Sequence, residues 1–183
     1  MDVPLWPDQN VESVGVIETG RLSLRRLNAD DAEFILELLN EPPFIQNIGD
    51  RGVRTPADAA LYILNGPVAS YEKHGFGLYL VELKASRVPI GICGFLKRDF
   101  LDDADIGFAF LQRFWSQGYA HEAASAVMQH GRNVLGLKRI LAVTAPDNPS
   151  SVRLLAKIGL RFDKMIGTPG AEEPGRLFTS DAP

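Results

Sequence analysis

The chain has 183 residues, of which 45% are hydrophobic and 23% charged, with a formal net charge of −4. That is enough apolar material for one core of ordinary domain size; the acidic balance argues against a nucleic-acid surface, and no apolar run approaches the roughly 20 residues that span a bilayer. A single cysteine, Cys93, excludes an internal disulfide framework, and no basic segment leads into an apolar one at the N-terminus, so a cytoplasmic protein with no membrane partner is expected.

The first fifteen residues form a loose, proline-containing extension, and residues 16–183 read as one domain. Residues 16–26, with Ile17, Leu22 and Leu24 among polar neighbours, predict an opening strand. Asp30-Asp31-Ala32-Glu33 has the form of a capping box before Phe34, Ile35, Leu38 and Leu39, which share one helical face until Pro42-Pro43 stops the helix. A second helix begins at Thr55-Pro56-Ala57-Asp58, with a cap, a first-turn proline and an acid near the positive end. Residues 76–84 and 89–96 predict two strands joined by a turn through Ala85-Ser86-Arg87, and residues 105–110 a third. A helix from Gly118 turns Ala120, Ala123, Ala124, Val127 and Met128 inward and ends near Leu135-Gly136. A strand over 139–145 follows, then a helix over 151–158 closed by Gly159, a strand over 160–166, an acidic turn over 168–175 and a last strand near 176–179. The order is βααβββαβαββ.

Two stretches carry chemistry. In Trp115-Ser116-Gln117-Gly118-Tyr119-Ala120-His121-Glu122-Ala123 a turn of small and polar residues runs into a helix directly after a strand. Unpaired N–H groups and the positive dipole end converge there, which is how a pyrophosphate is bound without lysines. Downstream, Asn148-Pro149-Ser150-Ser151 opens another helix after another strand. Singly, each is an ordinary cap and turn; their order and separation, with matching strands before each, point to function.

Together these stretches resemble the acyl-CoA-binding core of the GNAT superfamily of N-acetyltransferases, and the resemblance runs over nearly the whole chain from Ile17. Glu18-Thr19-Gly20-Arg21-Leu22-Ser23-Leu24-Arg25, Gly91-Ile92-Cys93-Gly94-Phe95 and the turn at 115–123 are most similar to the RimJ/RimL-like branch, the ribosomal-protein N-terminal acetyltransferases and their relatives. Trp115 stands where the superfamily pattern has Gln or Arg, a replacement that this branch commonly tolerates. The resemblance implies an α/β (α+β) GNAT fold: a mostly antiparallel mixed sheet of about seven strands, splayed at the middle and flanked by four helices. It implies acetyl-CoA as co-substrate and no metal. Phe108, Ala109 and Phe110 would offer strand-edge backbone to the pantetheine arm. Ser116, Gln117, Gly118, Tyr119, Ala120 and His121 would wrap the pyrophosphate, with His121 equally readable as a surface residue. Asn148 would bond the pantetheine arm and Ser151 would sit near the thioester sulfur.

The chemistry is bounded by pKa arithmetic. A lysine acceptor at about 10.4 costs close to 4.6 kcal/mol to deprotonate at pH 7, an α-amine near 7.7–8.0 only about 1 kcal/mol. Many members of the superfamily protonate the departing thiolate with a tyrosine; no tyrosine follows Asn148, and the resemblance to the RimL-like pattern implies Ser151 as the candidate donor instead. Asp105, before Ile106-Gly107, occupies the position where the branch often carries an acid and is the candidate base, although Asp102-Asp103-Ala104-Asp105 also reads as a solvated acidic turn; Glu82 is the reserve. Cys93 reads as a packed thiol, His74, His121 and His130 lack zinc-ligand spacing, and Gly75-Phe76-Gly77 lacks the third glycine of a dinucleotide fingerprint. Three functions stay open: acetylation of a protein, peptide or amino-acid α-amine; acetylation of a small amine such as a polyamine or antibiotic; and a catalytically silent acyl-CoA-binding module. Monomer and homodimer are both compatible with the sequence.

Overall fold

The single opening strand expected over residues 16–26 is two strands. The computed structural model, which describes residues 15–180, has β1 (Ile17–Glu18) and β2 (Leu22–Arg26) paired antiparallel. Thr19 makes the break: its backbone N–H donates to the Leu22 carbonyl at 2.9 Å, and its hydroxyl accepts from the Leu22 N–H at 2.9 Å. A local side-chain bond competes here with ladder pairing and turns the chain. The expected N-terminal extension lies outside the described residues except for Gly15.

The first capping box also sits earlier than its sequence signature. Asn28, with Asp31 as its reciprocal partner, caps a short 3₁₀ turn (Ala29–Asp31) that runs into α1 (Ala32–Asn40). Phe34, Ile35, Leu38 and Leu39 are buried on one face of α1, as their spacing predicts. Pro42 and Pro43 open a new helix, α2 (Pro42–Asn47), because proline suits a first helical turn as well as it ends a preceding helix. The Thr55 cap is as expected: Thr55 and Asp58 form a reciprocal box at the start of α3 (Pro56–Ile63). A π-helical turn (Leu64–Val68) carries the chain into α4 (Ala69–His74).

The rest alternates as the pattern predicts: β3 (Leu78–Leu83), β4 (Pro89–Leu96), β5 (Asp105–Phe110), α5 (Tyr119–Asn133), β6 (Leu141–Thr144), α6 (Pro149–Lys157), β7 (Leu160–Ile166) and β8 (Gly175–Ser180). The strands form one eight-stranded sheet in the order β1-β2-β3-β4-β5-β6-β8-β7. It has one strand more than expected, because the first splits. All neighbours are antiparallel except β5 and β6, which run parallel and share one register pair, Asp105↔Leu141. Beyond that pair the sheet opens, so the expected splay lies between β5 and β6.

Both faces of the sheet are covered around β3 and β4, which is why these two strands read as nearly continuous apolar runs. On one face Leu24, Tyr79, Val81, Cys93, Phe95 and Ile106 pack with Ala123, Ala124, Val127 and Met128 of α5. On the other, Leu78, Leu80 and Ile92 pack with Ile35, Leu38, Leu39, Ala59 and Ile63 of α1 and α3. Gly131 lets α5 lie close, since a Cβ there would stand 2.5 Å from Phe95 Cζ.

Candidate active site

Past Asp105, β5 has β4 on one side and open space on the other. Which of its backbone groups face the opening follows from strand parity. The Ala104 carbonyl accepts from the Leu141 N–H of β6 at 3.0 Å, and the Leu111 N–H, just past β5, donates to the Ile90 carbonyl of β4 at 3.0 Å. Alternate residues aim at the same neighbour, so Ile106, Phe108 and Phe110 address the opening and Asp105, Gly107 and Ala109 address β4. Of the three edge residues expected from the sequence, Phe108 and Phe110 are so directed. Ala109 is not, because its N–H and C=O belong to the pair with Ile92. The Phe110 carbonyl is already occupied by the Trp115 indole Nε1 at 2.8 Å, which leaves the Phe110 N–H and both Phe108 groups on the edge.

The turn after β5 takes a sharp path through two left-handed residues, Ser116 (φ 60°) and Gly118 (φ 82°). Glycine adopts that conformation freely; serine there is strained. The first bond inside α5 is Glu122 N–H to the Gly118 carbonyl at 3.0 Å, and no side chain caps the helix start. The N–H groups of Tyr119, Ala120 and His121 thus stand at the positive end of a fifteen-residue helix with no intrahelical acceptor. Gln117 braces the turn: its Nε2 donates to the Arg113 carbonyl at 3.1 Å and its own carbonyl accepts from Arg21 Nη1 at 3.1 Å. His121 is exposed and lines, with Thr19, Arg21, Gly118 and Glu122, an open groove of about 560 Å³.

At the head of α6, Asn148 Oδ1 accepts the Ser151 N–H at 3.1 Å, so this oxygen caps the helix, and the amide nitrogen makes no hydrogen bond within the described residues. The half-buried Ser151 hydroxyl makes no hydrogen bond within the described residues. The β6 strand delivers this helix start to the far side of the opening from β5.

Asp105 lies where β5 and β6 last touch, at the closed end of the opening. It is fully buried, and Arg98 Nε donates to its two carboxylate oxygens at 3.2 and 3.0 Å. It is thus no solvated turn residue. Burial pushes its carboxyl up to about 6, against the pull of the Arg98 guanidinium. Glu82 is also buried, held between Arg25 at 3.4 Å and Arg87 at 2.8 Å. Its register partner is Pro89, whereas Asp105 pairs with Leu96 at the other end of β4. Seven residues of strand, roughly 24 Å, separate the two acids, so the structure does not bring the reserve acid to Asp105. Cys93 is buried and desolvation holds its thiol well above the usual range, as expected of a packed cysteine. Among the described residues no group of three or more potential ligands could hold a metal, and no helix is long and apolar enough to cross a membrane.

Sequence reasoning gave no role to the contacts that fix the turn. Thr19 Oγ1 donates to Glu122 Oε1 at 2.6 Å, and Arg21 Nε to Glu122 Oε2 at 2.7 Å. These partners lie about a hundred positions apart, and no local pattern links them.

A mixed sheet opened between two parallel strands, with an uncapped helix start at its mouth, is the frame of an acetyltransferase domain. Residues 21–161 match the family model described as an acetyltransferase (GNAT) domain, and the chain belongs to that family. It is 31% identical over 152 residues to YoaA of Bacillus subtilis strain 168, described as an uncharacterized N-acetyltransferase, covering 82% of this chain and 85% of that protein. The crystal structure of a GNAT-family acetyltransferase from Bacillus anthracis superposes with a TM-score of 0.73 at 26% identity, over 89% of this chain and 95% of that one. AAC(6')-Ib, solved with paromomycin and acetyl-CoA, shares the fold at a TM-score of 0.69 and 20% identity, over 87% and 92% of the two chains.

Proposed function

We propose that this protein is an acetyl-CoA-dependent N-acetyltransferase of the RimJ/RimL-like kind, acting on the α-amine of a protein, peptide or amino acid. The donor's pyrophosphate lies on the N–H groups from Ser116 to His121, and its pantetheine arm runs along the β5 edge past Phe110 and Phe108, opposite Asn148. The neutral amine attacks the thioester carbonyl. The new N–C bond forms as the oxyanion develops, and the Phe108 N–H stabilises that charge. The nitrogen loses its extra proton toward Asp105, directly or through a water. The C–S bond then breaks, and the thiolate takes a proton from the Ser151 hydroxyl, which is replenished from solvent.

The observation that carries the choice of acceptor is the buried carboxyl of Asp105, poised at about 6. The amine must first be made neutral, and handing its ammonium proton to such a base is uphill by about 2.5 kcal/mol from an α-ammonium near 7.7–8.0 and by about 6 kcal/mol from a lysine near 10.4; Asp105 passes that proton to solvent before it serves the attacking nitrogen. An α-amine is within reach of a modest base and good positioning, and a lysine is not. Thiol release against a panel of peptides, amino acids, polyamines and aminoglycosides tests this reading. With the best substrate, kcat/KM is expected to rise through pH 6 and level off near pH 8. A profile still climbing at pH 9.5, or turnover confined to polyamines and aminoglycosides, would replace the α-amine by a small basic amine.

A further inference from the structure

Arg21, in the turn between β1 and β2, turns three of its four nitrogens to the start of α5. Its backbone N–H donates to Glu122 Oε1 at 2.9 Å, its Nε to Glu122 Oε2 at 2.7 Å and its Nη1 to the Gln117 carbonyl at 3.1 Å. The guanidinium carbon lies 4.4 Å from the centre of the Tyr119 ring. The remaining nitrogen, Nη2, has no acceptor within the described residues and stands 3.3 Å from the point where a Cβ on Gly118 would be. One cation therefore touches the residue before Gly118, the residue after it and the acid one turn further on.

The acid makes this arrangement consequential. Glu122 projects from the first turn of a helix whose free N–H groups suit an anion. Bonds from Thr19 and Arg21 hold its carboxyl below the usual range despite partial burial, so it stays ionised at neutral pH. Left alone, that charge would repel phosphate and offset the helix dipole. Arg21 offsets it and pins a turn that contains a strained left-handed serine, Ser116.

On the reading that this turn holds the donor's diphosphate, we infer that Arg21 is a positioning residue for that diphosphate: it locks residues 117–119 in their binding conformation, neutralises Glu122 and directs Nη2 at a phosphate oxygen.

The test compares wild type, Arg21→Ala, Arg21→Lys, Glu122→Gln and the Arg21→Ala/Glu122→Gln pair, using acetyl-CoA and S-acetylpantetheine, which lacks the diphosphate. Arg21→Ala is expected to raise the Kd and KM for acetyl-CoA about ten- to a hundredfold, the usual effect of losing hydrogen bonds to a charged group, with kcat changed far less. Arg21→Lys should recover part of the loss, and Glu122→Gln in the Arg21→Ala background another part, because the unopposed carboxylate is gone. With S-acetylpantetheine the gap between Arg21→Ala and wild type should shrink toward parity. A lower Tm with unchanged acetyl-CoA affinity, or an equal loss with both donors, would reduce Arg21 to a fold contact and overturn the inference. Should Arg21→Ala not fold, Arg21→Lys carries the same comparison. Failure of the wild type to bind acetyl-CoA at all would instead overturn the function proposed for the turn.

Discussion

The two sides of the opening are built from different materials. The side proposed to hold the donor, from β5 through the turn at 115–118 to α5, presents mostly backbone: strand-edge groups of Phe108 and Phe110 and the uncapped N–H groups of Tyr119, Ala120 and His121. We assign the acceptor side to residues 44–55 and 168–175, which present side chains on α2 and loops. Ile45 and Ile48 are exposed there, and Asp50 is bonded to Arg54 and to the Gly52 N–H. A backbone site needs only a few residues to be glycine or small, so it leaves a short, ordered signature in the chain. A side-chain site can be rebuilt at every position without disturbing the sheet. The same frame can therefore keep one donor while its acceptor changes.

The sharpest way to break the donor side is Gly118→Asp. At φ 82° any side chain is strained, and a Cβ would press toward Arg21 Nη2 at 3.3 Å; the added charge would face the phosphates. Acetyl-CoA affinity should fall more than a hundredfold by calorimetry, while far-UV circular dichroism stays that of the wild type. Unchanged affinity would remove the diphosphate from this turn.

Ser151→Ala separates binding from chemistry on the same side. The Asn148 cap bonds to the Ser151 N–H and survives the change, so α6 should keep its start. Loss of the proton donor should lower kcat by about ten- to a thousandfold, within the usual worth of one acid catalyst, with acetyl-CoA affinity within twofold of wild type. An unaltered kcat would leave Ser151 as the first turn of a helix and assign the proton to water.

How much of this could be read from the chain follows the same division. The α5 face, the Thr55 cap, β4, β5 and β7 are dictated by local periodicity and capping chemistry, and the structure has them where the pattern predicts. The opening hairpin was not legible, because Thr19 breaks the strand through one hydroxyl bond inside an otherwise strand-like run. Nor was the role of Pro42-Pro43, since the same residues end one helix and begin another. The expected edge triad lost Ala109 to strand parity, which depends on which neighbour β5 bonds first, a fact of topology. Arg21, Glu122 and Arg98 act through partners remote in sequence or set by how β5 is buried. The fold was legible, and so was the uncapped start of α5; the long-range contacts that brace them were not.

The smallest expected effect is on stability, and it bears on whether Asp105 is held ready for proton transfer or merely paired. Its carboxyl is raised from 3.8 to about 6 in the folded protein, chiefly by burial and in spite of Arg98. An acid whose folded pKa lies above its unfolded value favours the fold while both states are protonated, below about pH 4. That contribution is lost as pH rises toward about 6, and above this the ionised group weighs against folding by up to about 3 kcal/mol. Asp105→Asn keeps the shape and an acceptor for Arg98 Nε, and removes the buried charge; Arg98, about a third exposed, can pass its own charge to solvent. The variant should therefore melt several degrees higher than wild type at pH 7.5, at about 2–4 °C per kcal/mol for a chain of this size, with little gain at pH 4, and its kcat/KM should lose the limb near pH 6. A site that gives up stability to keep a carboxylate near neutrality is what proton transfer from an α-amine requires. A lower Tm at pH 7.5 would mean that the Arg98 pair outweighs desolvation. Asp105 would then be a structural counter-ion, and the amine would reach the thioester already neutral, with positioning alone to speed its attack.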